Sequence, residues 1–460
     1  MSGLQSDLQR GWHIHQQRRY AEAEHIYRDV LGKSPSDANA WCFLGIALHD
    51  QRQYASAIDC YRKALKLNPT FPIALNNLGN SLRYVNCVEE ADNCFQKAID
   101  LKPDYLNAFK NRGTLHVWTG ALDRGLYYYE QALKINPNEA ELHRNLGVIY
   151  LLQGRFREGW NEYGWRWRVG DLYRTNTLIP VWDGSSLTGR RILLTAEQGL
   201  GDTLNFVRLA QVLRNAGAQT LIHCQPQLLA LLQNAPKLGP LYPNSLNIEQ
   251  PMDVQCSLID AADILQINEQ NIPSVCPYLF SSPQLTGYWA RRFPKLSGTR
   301  RIGIAWQGNP DHQADLFRSV PLTCFEPLSE IPDIELISLQ SGFGTEQLDK
   351  WNGAKSVVKL GPEVDKTSGA FMDTAAIMLQ LDLVITSDTS IAHLAGALGV
   401  PTGLALNYVP DWRWLLQRSD SPWYPSVRLF RQDVLGDWVG VFRKIHAALL
   451  ERNWIAADET

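Results

Sequence analysis

Residues 37–70 read DANAWCFLGIALHDQRQYASAIDCYRKALKLNPT, and this stretch decides how the first third of the chain folds. Its landmarks are Gly45, Ala57, Tyr61 and Pro69, and each recurs at 34-residue intervals. Gly11, Gly45, Gly79, Gly113 and Gly147 form one series, and Ala23, Ala57, Ala91, Gly125 and Gly159 a second. Tyr27, Tyr61, Phe95, Tyr129 and Tyr163 form a third, and Pro35, Pro69, Pro103 and Pro137 a fourth. Interleaved series without an insertion are the mark of stacked repeats. Small residues let two helices approach closely, and the aromatic ring fills the space between one repeat and the next. Proline ends the second helix because it lacks an N–H and restricts the residue before it. Asn68-Pro69 and Asn136-Pro137 are such stops.

The pattern resembles the tetratricopeptide repeat. It predicts about four full repeats, a partial first one, and a fifth whose second helix drifts into Trp160, Trp165 and Trp167. The array is expected over residues 1–170 as an α-solenoid with a concave inner face. Such an array does no chemistry. The resemblance implies binding of proteins, peptides or sister protomers, hence a protein, peptide or glycan acceptor, or a homo-oligomer. Asn76, Asn77, Asn80, Asn107, Asn111, Arg144 and Asn145 are the polar candidates for the inner face. The same residues also serve simply to solvate a helix face or to bond neighbouring turns.

Composition bounds the rest. A chain of 460 residues holds two or three domains. With 45% hydrophobic and 20% charged residues it is ordinary soluble material, and a net charge of −3 gives no global attraction to nucleic acid or anionic membrane. No apolar run reaches the length of a membrane span, and the start, MSGLQSDLQRGW, lacks the apolar core of a secretory signal. The eight cysteines form no C-x-x-C pair and read as free thiols of a reducing compartment, so a cytoplasmic location is expected.

From residue 190 the pattern becomes strand, turn, helix. Strands are expected at Arg190–Ala196, Gln219–Cys224, Arg301–Trp306, Glu335–Leu339, Ser356–Leu360, Leu381–Thr386 and Thr402–Leu406, with a helix over Asp202–Asn215. Alternating strands and helices argue for parallel sheets, hence two Rossmann-like halves at 180–290 and 298–460. The domain boundary is expected around 168–182, and Ser281–Ser297 is the expected linker between the halves. A C-terminal helix over Leu435–Arg452 is expected to pack across them. Ligands of such halves bind beyond the carboxyl ends of the strands. Gly199-Leu-Gly201-Asp-Thr-Leu204 lacks the third glycine of the dinucleotide fingerprint, and Lys366-Thr367 has no glycine before the lysine, so it is no P-loop. The sequence holds no G-x-S-x-G, H-E-x-x-H or D-x-D motif.

The strongest local signal is LDLVITSDTSIAHLAGALGVP at Leu381–Pro401. A buried strand runs into Ser387, Asp388, Thr389 and Ser390, all of them N-cap types, before a helix of small residues that stops at Gly399. A helix starting there points free N–H groups into the cleft, which is an anion site. Thr389 and Ser390 add hydroxyls, and His393 follows one turn on.

This segment resembles the D-[TS]-x-x-x-H-x-A-x-A motif of the ADP-heptose:lipopolysaccharide heptosyltransferase family, with Ser390 where that family carries glycine. In the family the motif holds the nucleotide diphosphate, which implies that role for Asp388, Thr389, Ser390 and His393. Gly201-Asp202 matches the family's Gly-Asp loop after the first strand, which implies Asp202 as catalytic base. Arg318, in GNPDHQADLFRSVP, matches a basic residue that contacts the diphosphate. Together with the repeats, the chain resembles bacterial TPR-fused glycosyltransferases and, more loosely, the domain order of O-GlcNAc transferases. Glu197, Gln198, Gly199, Gly201, Gln307, Asn309 and Trp412 are the remaining cleft candidates, and Asp411-Trp412-Arg413-Trp414 is expected to form a wall near the nucleotide.

The fold expected is thus an α-solenoid followed by an α/β glycosyltransferase of the GT-B type. The function expected is transfer of a sugar from a nucleotide-sugar donor, inverting and without a metal or further cofactor, to an acceptor recruited by the array. Each residue also has a plainer reading: Asp202 as a helix cap, His393 as a satisfied core histidine, Arg318 as a surface ion pair, Trp412 as core. Two other functions stay open on the sequence. One is a non-catalytic scaffold with a degenerate transferase-like domain, and the other is a nucleotide-sugar epimerase on the same fold.

Overall fold

The computed structural model describes residues 3–170, 178–246, 248, 250–294, 297–312 and 314–451. The chain divides into two compact units, Met1–Leu146 and Gly147–Thr460.

The first unit is a run of antiparallel helix pairs. They are α1 (Gly3–Gln16), α2 (Tyr20–Lys33), α3 (Ala38–Asp50), α4 (Tyr54–Leu67), α5 (Pro72–Tyr84), α6 (Val88–Leu101), α7 (Leu106–Trp118) and α8 (Leu122–Ile135), with α9 (Ala140–Leu152) beginning the next pair. Each landmark series does what its residue type predicts. Ala23, Ala57 and Ala91 are fully buried where paired helices meet, and Tyr27, Tyr61, Phe95 and Tyr129 are buried against the glycines. A Cβ on Gly45 would lie 2.6 Å from the Tyr61 ring. Gly45→Val is therefore expected to cost about 1–3 kcal/mol by overpacking, and Tyr61→Leu in the same chain to recover part of it. Equal urea midpoints for Gly45→Val and the parent would show that the ring can move aside. The helices end at Asn68 and Asn136, whose amides close the last turns on Ala64 and Ala132.

A further series follows the same period without a shared residue type. Arg18, Arg52, Asn86, Gly120 and Gly154 all have φ between 60° and 81°. Each turn between paired helices needs one left-handed residue, a conformation that polar side chains also reach at modest cost.

The inner-face candidates mostly bond to one another. Asn111 donates to Asn76 (2.9 Å), Asn76 to Asn77 (3.2 Å) and Arg144 to Asn145 (3.2 Å), while Asn107 is exposed.

The second unit holds the end of α9, α10 (Phe156–Tyr163), a short 3-10 turn over Gly164–Arg168, and two parallel sheets. The first sheet comprises β1 (Arg191–Thr195), β2 (Gln219–Cys224), β3 (Leu241–Pro243) and β4 (Val254–Ser257) in the order β3-β2-β1-β4. The second comprises β5 (Arg300–Ala305), β6 (Ile334–Ser338), β7 (Val358–Lys359), β8 (Leu383–Ser387), β9 (Thr402–Leu406) and β10 (Val427–Arg431) in the order β10-β9-β8-β5-β6-β7. The strand orders reverse between β1 and β4 and between β5 and β8, and the second sheet has the doubly wound dinucleotide-fold order.

The expected strands at 190–196, 219–224, 301–306, 335–339, 356–360, 381–386 and 402–406 lie where β1, β2, β5, β6, β7, β8 and β9 form. β3, β4 and β10 had no expectation; they are short or carry polar residues that obscure the pattern. The single helix expected over Asp202–Asn215 is two, α11 (Leu200–Phe206) and α12 (Leu209–Asn215), broken at Arg208. Arg208 turns inward there to donate to the carbonyls of Asn205, Pro273 and Trp423 and to the Tyr278 hydroxyl. The expected linker contains a helix, Pro283–Arg292, anchored by Trp289 on Asp373 (2.8 Å). The C-terminal helix runs Trp438–Leu450 and packs on the second half rather than across both, with Phe442 4.3 Å from Phe325. Arg452, and residues 171–177 of the expected domain boundary, lie outside the described residues.

Candidate functional site

Both switch points carry residues singled out by the sequence. Beyond β1 the chain turns through Gln198, whose φ of 60° is rare for a side-chain-bearing residue, into Gly199 and α11. The Gly199 amide donates to Asp202 Oδ2 (2.9 Å), so Asp202 closes the first turn of its own helix. Its other oxygen pairs with Arg413. Beyond β8 comes the helix Ser390–Ala397, whose N-cap Thr389 makes no side-chain cap. The two helix starts meet. A Cβ on Gly201 would sit 2.9 Å from the His393 ring and 3.7 Å from Ser390 Cα, so only glycine permits this approach.

Arg413 lies between two carboxylates. Asp411 accepts from its backbone amide (3.0 Å) and pairs with Nη1 (2.9 Å), while Asp202 takes Nη2. Burial pushes the Asp202 carboxyl up against the pull of Arg413. It also opposes ionisation of Asp411, but Arg413 and its amide outweigh it and hold Asp411 below the usual range. Asp388 is pushed up to about 6 by burial, with Asp411 adding and Arg318 opposing.

His393 is buried, stacked on Trp414, and bonded through Nδ1 to the Tyr424 hydroxyl (2.9 Å), which also receives Asn205 Nδ2 (2.8 Å). Burial first, then Arg413, pushes its imidazole down to about 3. Arg318 reaches Asp315 at 3.5 Å beside Gly308, where a Cβ would lie 2.9 Å from Arg318 Nη2. The Ser387 and Thr389 hydroxyls are buried without a hydrogen-bond partner among the described residues. An uncapped helix start, two unpaired hydroxyls and the guanidiniums of Arg318 and Arg413 form a donor set suited to a multiply charged anion.

The two titrations oppose each other. The raised carboxyl of Asp388 adds stability below its unfolded value and loses it as pH rises through about 6. The depressed His393 adds stability above about 6.5 and loses it as pH falls toward about 3. Between about pH 6 and 4 the slopes cancel. His393→Gln is expected to uncover the Asp388 slope, so that the variant gains on the parent by up to about 1.4 kcal/mol per pH unit from pH 6 downward. Urea midpoints at pH 7 and 5 measure it, and parallel profiles would remove His393 from the balance.

The other candidates take quieter places. Glu197 is buried in a network in which Arg166 donates Nε to Oε2 (2.9 Å) and Nη2 to Oε1 (2.6 Å), and Ser257 donates to Oε1. Arg166 also meets Asp260, which takes the indole N–H of Trp167 (3.0 Å). Gln198 bonds the Tyr163 hydroxyl (3.1 Å). Gln307 accepts from Gln347 (2.9 Å), and Asn309 from the amide of Asp311 (2.9 Å). Trp412 is 2% exposed, packed among Trp160, Tyr163, Phe206 and Trp423. Sequence reasoning placed Asp411-Trp412-Arg413-Trp414 as a wall near the nucleotide but gave Arg413 no role of its own, and it missed Asn205, Tyr424 and Arg166 as site residues. The signal for Arg413 was present in Asp411-Trp412-Arg413-Trp414: charges set among tryptophans are buried, and buried charges must be paired.

Tetratricopeptide-repeat models match residues 38–71, 60–92 and 118–154. Protein FlbA of Caulobacter vibrioides is 26% identical over 320 residues, 64% of this chain and 52% of that protein, so the chain spans about half the length of this curated relative. Among solved structures, pilF of Pseudomonas aeruginosa is 21% identical (46% of this chain, 86% of that one, TM-score 0.36). A thermophilic TPR protein of Thermus thermophilus is 20% identical (36% and 92%, TM-score 0.34), and MamA is 22% identical (34% and 92%, TM-score 0.31). The N-terminal part of this chain is an array of tetratricopeptide repeats.

Proposed function

We propose that the α/β region is a glycosyltransferase of the GT-B type that takes its sugar from a nucleoside diphosphate donor, while the repeats recruit a protein or other macromolecular acceptor. One observation carries the reading. Residues from motifs about two hundred positions apart, Gly201-Asp202 and Asp388–His393, meet at the carboxyl ends of two parallel sheets, each at a strand-order reversal.

In the proposed step an acceptor hydroxyl gives its proton to Asp202, and its oxygen bonds to the anomeric carbon. The bond from that carbon to the diphosphate breaks, and the electron pair leaves with the diphosphate. Arg318, the helix start at Ser390 and the hydroxyls of Ser387 and Thr389 stabilise that growing charge. A bound diphosphate is a stronger partner for Arg413 than Asp202 is, and releases Asp202 to act as base. Its raised proton affinity suits the task.

A second reading, a non-catalytic scaffold, draws on the same residue, because a carboxylate that both caps its helix and pairs with an arginine is also what a structural role requires. A thermal-shift screen of nucleoside diphosphates and their sugars, followed by nucleotide release in the presence of EDTA, separates them. The transferase reading expects one nucleotide to raise the melting temperature, by about 2.7 kcal/mol of stability at one hundred times its Kd, and release to survive EDTA. No shift with any donor supports the scaffold, and EDTA-sensitive release restored by Mg²⁺ or Mn²⁺ ends the metal-independent reading. No helix among the described residues is long and apolar enough to cross a membrane.

A further inference from the structure

The transfer step proposed above gives His393 no task, yet a set of buried polar groups is built behind its ring. Nδ1 meets the Tyr424 hydroxyl (2.9 Å), and that hydroxyl also takes the Asn205 amide nitrogen (2.8 Å). Asn205 and Tyr424 are both fully buried. The Tyr424 ring lies so close to Gly396 that a Cβ there would stand 2.5 Å from it, which leaves the ring no room to swing. Arg208 fixes the backbone on either side of the pair. Its Nε donates to the Asn205 carbonyl (2.8 Å) and its Nη1 to the carbonyl of Trp423, the residue before Tyr424 (2.7 Å). Its Nη2 goes to the Tyr278 hydroxyl, which gives its own proton to the Leu204 carbonyl.

These bonds fix where the imidazole proton sits. An amide nitrogen can only donate, so Asn205 occupies a lone pair of the Tyr424 oxygen and leaves the phenolic proton for Nδ1. A neutral ring that accepts at Nδ1 carries its proton on Nε2. Burial first, then Arg413, keep the ring neutral, with Arg208 and Arg318 adding and Asp411 opposing. The reverse orientation of the Asn205 amide would claim the Tyr424 proton for Oδ1 and put the imidazole proton on Nδ1, so the tautomer follows the amide. The Cδ2–Nε2 edge faces the gap between the two helix starts. A Cβ on Gly201 would lie 2.9 Å from Cδ2 and 3.6 Å from Nε2, with Ser390 Cα beside it at 3.7 Å.

We propose that Asn205 and Tyr424 are positioning residues that keep the His393 proton on Nε2, where the ring donates it in a hydrogen bond to an oxygen of the bound diphosphate. The inference rests on the anion site of the transferase reading above and gives His393 a part in it.

Nuclear magnetic resonance of the full chain with isotope-labelled histidine ring nitrogens tests it, the His393 signals being those missing from His393→Gln. The expected result in the ligand-free parent is a protonated Nε2 and a bare Nδ1. Tyr424→Phe takes the hydroxyl from Nδ1, whose signal is expected to move downfield to the position of an unbonded ring nitrogen. Asn205→Asp replaces the donor by an acceptor for the Tyr424 proton. It is expected to move the imidazole proton to Nδ1 and to weaken binding of inorganic pyrophosphate, a diphosphate probe without a base, about tenfold. Pyrophosphate is expected to shift the Nε2 signal of the parent. A parent ring protonated on Nδ1 overturns the proposal without any variant, as does a folded Asn205→Asp chain whose proton stays on Nε2. An Nε2 signal that does not move while calorimetry shows pyrophosphate bound overturns it too, and leaves the anion site standing. Pyrophosphate that does not bind at all strikes the anion site itself, and the part of His393 falls with it.

Discussion

Asp202→Asn is expected to lose roughly 10²–10⁴-fold in kcat while binding the donor nucleotide at least as tightly as the parent does. The change is nearly isosteric, and the side-chain carbonyl of an asparagine at this N3 position still accepts the bond from the N-cap Gly199 amide. What disappears is the charge. Arg413 then keeps Asp411 but loses its second carboxylate, and in the proposed transfer step the acceptor's proton has no base to go to. The removal of a carboxyl whose ionised form is penalised by burial offsets part of the lost ion pair. The melting temperature is therefore expected to move by only a few degrees. Single-turnover rates together with calorimetric donor affinity check both halves. Parental turnover would assign Asp202 to capping and to the Arg413 pair alone. Loss of donor binding along with turnover would mean that the Asp202–Arg413 pair shapes the nucleotide site itself.

Arg166→Met is expected to destabilise the second unit by about 3–5 kcal/mol. Arg166 is 2% exposed and neutralises Glu197 and Asp260, and both partners hold its guanidinium further toward the charged form despite the opposition of burial. Methionine fills much of the same volume but leaves the buried Glu197 carboxylate without Arg166 and takes one partner from the part-buried Asp260, the situation in which breaking a buried pair costs most. For a unit of this size the loss corresponds to a fall in melting temperature on the order of ten degrees. Arg166→Met with Glu197→Gln removes one orphaned charge and should recover a substantial share, so the pair is non-additive. Melting curves of the parent, both single variants and the double variant provide the cycle. Simple additivity would mean that water reaches Glu197 and that the network is not a closed one.

These two arginines mark where sequence reading stopped. The motif Gly201-Asp202 and the segment from Ser387 to His393 were legible because strand ends, glycine turns and N-cap types are local features. Their partners were not. Asp202 finds Arg413 211 residues away, and Asn205 finds Tyr424 219 residues away, across two sheets whose relative placement no local pattern encodes. Trp412 and Arg413 are neighbours in sequence, yet the indole is enclosed by aromatic rings while the guanidinium lies between two carboxylates. Alternation along the chain does not say which side of a turn faces the charged cluster.

The repeats are the opposite case. Each contact in the array joins residues within about one period, so the small, aromatic and proline positions recur in the sequence itself. By itself the sequence determined the helix pairs, their stops and the close approach at Gly11, Gly45, Gly79 and Gly113, as well as the alternation that builds parallel sheets. Only the tertiary structure decided that each repeat turns on a left-handed residue, because backbone conformation repeats there while residue type does not. It alone decided the break at Arg208 and the pairing of Asp202 with Arg413. Burial and charge pairing depend on what the folded chain brings near, and that is set by closure over long sequence distances rather than by any local period.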